Sequence, residues 1–212
     1  MKVIITTSDK YHHLLPVFFY LYKKYCGLPF DLVGHAKPEC ELPDNCTWVS
    51  LGPQGSKQDW SNQIRAYFEQ QPEYFIWMME DTFLKAQIKH VLRLPCTKVG
   101  RIDLTGDVQK RKHFIDDDGI VHADTESRYR LSTQPSIWDK DFLLQYLTPN
   151  LSPWDFETQD PKNDGWSVLG FKEYPVNHNE GVRRFDLYKL NLDGMCQEDI
   201  NYINSITLWQ TK

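Results

Sequence analysis

A chain of 212 residues, 41% hydrophobic and 14% aromatic, is long enough to bury the core of one α/β domain. Its formal net charge of -5 excludes a general nucleic-acid binder, since neutralising phosphates needs a basic excess that the short run Lys110, Arg111, Lys112 does not supply. The five cysteines are odd in number and form no CxxC pair, which argues against a disulfide framework or a zinc site and for a reducing, cytoplasmic compartment.

Residues 2–7 read as a first strand, too soon interrupted by Ser8, Asp9 and Lys10 to be a signal peptide. The strand is left through hydroxyls and a carboxylate, Thr6 to Asp9. Residues 14–26 follow as a core-facing helix, with Pro16 inside the apolar run and Lys23 and Lys24 behind it, a pattern unlike a bilayer span; Gly27 stands where a left-handed C-cap is expected. Short strands at 31–34 and 47–50 continue a strand-helix-strand rhythm, the beginning of a parallel, doubly wound sheet. The next loop contains Gly52, Gln54 and Gly55 and feeds a helix over 60–70; its glycines permit close backbone approach to a ligand, but the spacing is neither that of a P-loop nor of GxGxxG, and an ordinary connection is the simpler reading.

Residues 74–84, Tyr-Phe-Ile-Trp-Met-Met-Glu-Asp-Thr-Phe-Leu, read as a central strand buried on both faces, with Glu80 and Asp81 at its carboxyl end. In an open α/β sheet that end opens onto the ligand crevice. Equally, Asp81 is a fitting N-cap for a helix over 83–90, and both readings stand at this point. A strand over 98–104 comes next, then a hairpin over 113–122 turning at Asp118-Gly119. Its three aspartates lack the alternating ligands and closing glutamate of a calcium loop. Residues 129–134 are strand-like and ended by Pro135, Asp139 caps a helix through Tyr146, and Pro153 opens a short helix carrying Trp154, Asp155 and Glu157. Both acids there would complement the helix dipole; the tryptophan is not explained by helix grammar. A strand over 166–171 and a last helix over 198–208 complete the chain, and the absence of repeats and linkers predicts one domain.

Three stretches, Trp77-Met-Met-Glu-Asp-Thr-Phe83, Tyr129-Arg-Leu-Ser-Thr-Gln-Pro-Ser-Ile-Trp138 and Ser152-Pro-Trp-Asp-Phe-Glu157, resemble in order and spacing the nucleotide-diphospho-sugar glycosyltransferases of the GT-A fold, in particular a group of small sugar transferases of phage and bacterial genomes. The resemblance covers nearly the whole chain. It implies a single α/β, Rossmann-like GT-A domain with a central mixed, mostly parallel sheet flanked by helices, residues 1–104 forming a donor half and 105–212 an acceptor half. It implies a hexosyltransferase-like enzyme whose donor is a nucleotide sugar, UDP-sugar foremost, and whose acceptor is a saccharide or other hydroxyl. Thr7, Ser8, Asp9, Gln54, Gly55, Arg65, Glu80 and Asp81 would border the donor, Gln134 and Trp154 the acceptor. Glu80, Asp81 and His178 would hold Mn²⁺ or Mg²⁺. Glu157, with Asp155 second, would be the catalytic base of an inverting reaction. The family's acidic motif has aspartates two apart, whereas here Thr82 stands two after Glu80.

The residue chemistry agrees with these roles. A departing nucleotide diphosphate gathers negative charge, which a divalent ion on hard carboxylate oxygens offsets. An acceptor hydroxyl is a poor nucleophile, so a carboxylate that takes its proton accelerates attack by about 10²- to 10⁴-fold. Two other classes carry weight: a glycoside hydrolase using two of the same carboxylates, and a catalytically silent carbohydrate- or nucleotide-binding protein.

Overall fold

The structure, a computed structural model, describes residues 1–88, 98–159, 163–183 and 186–207. In β1 (Lys2–Thr6) the side chains are apolar toward both faces, Val3 and Ile5 entering one hydrophobic cluster and Ile4 another, so the strand is stable only in the middle of a sheet. A 3₁₀ turn (Asp9–Leu14) leads into α1 (Leu15–Tyr25), which has Pro16 in its first turn. Gly27, at φ +70, gives the expected left-handed C-cap, and its N–H donates to Tyr22 O at 2.8 Å. β2 (Phe30–Gly34), β3 (Cys46–Ser50), α2 (Trp60–Glu69) and β4 (Tyr74–Met79) follow close to their expected places.

β1 pairs in parallel with β2 on one side and β4 on the other, and β3 lies outside β2. The chain therefore walks outward from β1 to β3 and returns to the far flank of β1 with β4. That reversal makes a topological switch at the carboxyl ends of β1 and β4, where α/β sheets open a crevice. β5 (Thr82–Leu84) leaves the sheet after Asp81, and β6 (Val99–Asp103), β7 (His113–Ile115), β8 (Ile120–Ala123), β9 (Ser136–Asp139) and β10 (Ser167–Phe171) extend it. The nine strands run β3-β2-β1-β4-β9-β6-β10-β8-β7, with β9 and β8 antiparallel to their neighbours. This is the expected α/β class with a mixed, mostly parallel sheet.

Helices cover both faces. α1 packs with α5 (Gln197–Thr207) on one cluster; α2, α3 (Lys140–Tyr146) and α4 (Pro153–Glu157) pack on the other, around Phe68, Trp77, Trp138, Phe142 and Phe156. Two small ribbons, β11 (His178–Glu180) with β5 and β12 (Val182–Arg183) with β13 (Asp186–Leu190), stand outside the sheet. Among the described residues no helix is long and apolar enough to cross a membrane.

Two expectations are corrected. Residues 82–84 form β5, antiparallel to β11, where a helix over 83–90 was expected, and 89–97 lie outside the described residues. Thr82, Phe83 and Leu84 are all buried, Phe83 and Leu84 in the cluster that holds α1, and their β-favouring side chains suit an extended segment. Residues 129–134 form a turn, with Tyr129 at φ 60 and Ser132 N–H donating to Tyr129 O, and the strand lies beyond Pro135 as β9. Pro135 precedes the strand, where its missing N–H costs no ladder bond.

Candidate functional site

At the switch point the end of β4 is tied to the end of β1. Glu80 N–H donates to Thr6 O at 3.2 Å, and Trp77 Nε1 donates to Thr6 Oγ1 at 3.0 Å. Glu80 is buried at 1% exposure, and its Oε1 accepts from Thr7 Oγ1 (3.2 Å) and Ser8 N (3.1 Å). Burial first, and the Asp81 charge second, push its proton affinity up. Asp81 is pushed up as well, by burial first and then by Glu180, with Glu157 adding to it. Its own backbone N–H pulls the other way, and among the described residues no cation pairs with the Asp81 carboxylate.

Glu180 reaches Asp81 through the β5–β11 ribbon. Gly181 N–H donates to Asp81 O at 2.5 Å, and a Cβ at Gly181 would stand 2.9 Å from Phe83 Cε1 and 3.1 Å from Asp81 O. Only glycine permits that approach without a shift.

The opposite wall is α4. Ser152 is its N-cap: Ser152 Oγ accepts from Asp155 N (3.2 Å), while Ser152 N and Oγ donate to Asp155 Oδ2 at 3.0 and 2.6 Å. This reciprocal capping box holds Asp155 at the helix start and lowers its pKa through the Ser152 hydrogen bonds. Phe156 is buried in the core and anchors the helix, leaving Trp154 60% exposed, with Lys57 Nζ 5.5 Å from its ring centre. Glu157 Oε1 accepts from both Thr133 N and Thr133 Oγ1 at 2.6 Å. No hydrogen bond engages Glu157 Oε2 among the described residues.

From the expected donor set, Thr7, Ser8, Gln54, Glu80 and Asp81 line one cleft of about 500 Å³, and from the expected acceptor and catalytic sets Gln134, Trp154 and Glu157 line it too. The other expected residues are engaged elsewhere. Asp9 accepts from Ala36 N at 2.9 Å, and Gly55 N donates to Gln63 Oε1 at 3.3 Å beside the cleft residues Gln54 and Ser56. Arg65 donates to Glu69 and to the carbonyls of Leu144 (2.7 Å) and Leu147 (2.8 Å), locking α2 to the end of α3. Asp155 serves the cap. His178 Nε2 donates to Gln134 Oε1 at 2.8 Å, and burial above all depresses its pKa to about 4, so the ring is neutral.

Tyr11, Lys10, Lys57, His35 and Glu180 also line the cleft and were not foreseen. The position of Lys10 and Tyr11, just after the first strand, was a usable signal. Glu180 had none, because a tertiary ribbon delivers it. Tyr11 has its pKa raised by burial and then by the Asp81 and Glu80 charges, which places its phenol in their field.

No group of three or more His, Cys, Asp or Glu side chains able to hold a metal occurs among the described residues. Mg²⁺ and Mn²⁺ accept fewer protein ligands, taking one or two carboxylates with waters and substrate phosphates. Asp81, with no cation paired to it among the described residues and beside Glu180, fits such a site; Glu80, with Oε1 already accepting two hydrogen bonds, and His178, bonded to Gln134, fit it less well.

No protein-family model matches the chain, and no curated protein matches it in sequence. Among solved structures, the galactosyltransferase LgtC in complex with donor and acceptor sugar analogues is similar over 68% of this chain and 60% of that chain, at 8% identity and a TM-score of 0.43. The chain thus spans about three fifths of LgtC (60%). The 4-diphosphocytidyl-2C-methyl-D-erythritol synthase of Anaerococcus prevotii is similar over 98% of this chain and 95% of that chain, at 14% identity and a TM-score of 0.43. The bifunctional glycosyltransferase WbbM, in its apo form, is similar over 68% of this chain and 32% of that chain, at 14% identity and a TM-score of 0.38.

Proposed function

We propose that the cleft binds a nucleotide-diphosphate sugar, a UDP-sugar foremost, and transfers the sugar with inversion to a hydroxyl of a saccharide or other acceptor, on a GT-A type of scaffold. The observation that carries this reading is that Glu157, gripped on Oε1 by both Thr133 donors, shares one cleft with Asp81 and the exposed Trp154 ring. Gripping one oxygen fixes the carboxylate and leaves Oε2 to take a proton. The acceptor oxygen bonds to the anomeric carbon, its proton passes to Glu157 Oε2, and the bond from the anomeric carbon to the phosphate oxygen breaks with its electron pair on the diphosphate. Trp154 offers an apolar face to a sugar ring. Asp81, with Glu180 alongside, would hold Mn²⁺ or Mg²⁺, which when bound would offset the charge on the diphosphate.

Glu157→Gln keeps the shape and loses the base, so donor binding is expected to persist while transfer falls by about 10²- to 10⁴-fold. Calorimetry with UDP, GDP, CDP and TDP in Mn²⁺, beside a transfer assay, checks both halves. No heat with any nucleotide overturns the donor reading. Sugar released from an oligosaccharide without nucleotide turns the same carboxylates to hydrolysis, and nucleotide-sugar binding without turnover under every metal condition marks a silent binding protein.

A further inference from the structure

The sheet ends at β7, which among the described residues is hydrogen-bonded to β8 alone. Even-numbered residues make that pairing: Lys112 O accepts from Asp124 N, and Asp116 N donates to Ile120 O. By the alternation of an antiparallel ladder, the N–H and C=O groups of His113 and Ile115 point the other way, to the open edge. Phe114 is 61% exposed and Ile115 43% exposed there, and the strand contains neither proline nor a lysine, arginine or acid to protect it.

The flanks supply the second observation. Lys110, Arg111 and Lys112 precede the strand, and Asp116, Asp117 and Asp118 follow it, so the segment inverts its charge about Phe114. Arg111, Lys112, Asp117 and Asp118 are exposed. We propose that β7 is the seam of a homodimer, in which β7 of a second copy of this chain adds antiparallel about a two-fold axis at Phe114 and makes one sheet through both copies. His113 then meets the partner's Ile115 in a hydrogen-bonded pair, using the groups that face the open edge. Phe114 meets the partner's Phe114 in a non-hydrogen-bonded pair, where side chains come closest. Lys112 faces the partner's Asp116 at the strand end, and beyond the ladder Lys110 and Arg111, in and after a 3₁₀ turn (Val108–Lys110), lie on the side of the partner's turn residues, the partner's Asp117 and the partner's Asp118.

Parallel addition would set like charges against each other, so charge selects the antiparallel register. The contact is isologous and closes at two copies. Lys112 touches Asp124 at 3.0 Å, an exposed pair that contributes little and yields to an intermolecular partner; Arg111 touches the buried Asp107 at 3.7 Å and stacks on Tyr129, Asp116 is paired with His122 at 2.8 Å, and Phe114 stacks on the His122 ring, contacts that the seam leaves in place. β7 lies five strands from β4 in the sheet order. At about 4.8 Å per strand this is on the order of 24 Å, so dimerisation leaves the cleft open.

Sedimentation velocity on three proteins tests this: the wild type, the double variant Lys110→Glu/Arg111→Glu, and the double variant Asp117→Lys/Asp118→Lys. The wild type is expected to sediment as a dimer that dissociates as ionic strength rises, because salt screens the flanking charges. Each variant alone sets like charges across both halves of the seam and is expected to be monomeric. In an equimolar mixture opposite charges face each other again, and the dimer returns. A monomeric wild type, a variant that dimerises alone, or a mixture that stays monomeric overturns the proposal.

Discussion

Asp155 and Glu157 stand two residues apart on one short helix and do different work. Asp155 closes the capping box with Ser152, while Glu157 is held by Thr133 in the cleft wall. Asp155→Asn is therefore expected to lower the melting temperature and leave transfer near wild type, the reverse of Glu157→Gln; a turnover assay run beside thermal melts separates them, and loss of transfer in Asp155→Asn with Glu157→Gln active would exchange their roles. Glu80 makes a second prediction at this scale. Its folded-state pKa is raised by burial and by Asp81, whereas an unfolded glutamate titrates at about 4.3. Between those values the folded chain binds more protons than the unfolded one, so the Glu80 contribution is fully present below the unfolded pKa and is lost as pH rises through the raised one. Melting temperature without divalent ions is expected to fall from the ordinary carboxylate range up through neutrality, and Glu80→Gln, neutral throughout, to flatten that fall. An unaltered slope in the variant would assign it to other groups.

The element that shapes the cleft is the ribbon of β5 and β11. It carries no large share of the core, yet it turns the chain out of the sheet immediately after Asp81 and sets Glu180 beside it. Gly181 is its tightest point. Gly181→Ala would press a methyl group on Phe83 and the Asp81 carbonyl, an overpacking that costs about 1–3 kcal/mol. The expected result is a lower melting temperature together with weaker nucleotide-sugar binding, because the ribbon shifts Asp81 as it yields. Binding calorimetry that shows wild-type affinity in a destabilised Gly181→Ala protein would separate the ribbon from the site. A comparable tie holds α5 to α1, where buried Asp199 accepts from Tyr20 Oη (2.8 Å) and Lys24 Nζ (2.7 Å), and also from Tyr25 Oη. That anchor lies on the α1 side and touches none of the cleft.

Over the whole molecule, both halves of the chain contribute to one cleft: residues between Thr6 and Thr82 from the first, between Thr133 and Val182 from the second. A ligand that bridges them binds only the folded state. At about 100 times its Kd such a ligand adds about 2.7 kcal/mol, which for a domain of this size raises the melting temperature by roughly 5–10 °C. A thermal-shift series of nucleotide sugars with and without Mn²⁺ should show at least one shift of that size, larger with the ion if Asp81 holds it. A flat series across all donors would remove the cleft from nucleotide-sugar chemistry.

Much of this architecture was legible in local patterns. Apolar runs bounded by turn residues marked β1, β2, β3 and β4, Gly27 marked the end of α1, Asp118-Gly119 marked the hairpin, and Asp139 and Pro153 marked the starts of α3 and α4. Glu80 and Asp81 were recognisable as the end of a buried strand, which is why they reach the cleft. Each of these signals reflects the backbone preference or burial of residues a few positions apart, and a short window carries it whole. Other features come from pairs far apart in the chain. β9 enters between β4 and β6, Glu180 is registered against Thr82, His178 is tied to Gln134, and Arg65 is turned to the carbonyls of α3. No local window holds those partners, since the energy that selects them exists only once the two hydrophobic clusters have closed on the sheet and buried donors must find acceptors. The sequence by itself determined the elements and the acidic end of the central strand; the tertiary structure alone decided which carboxylates share a cleft and which close a helix cap.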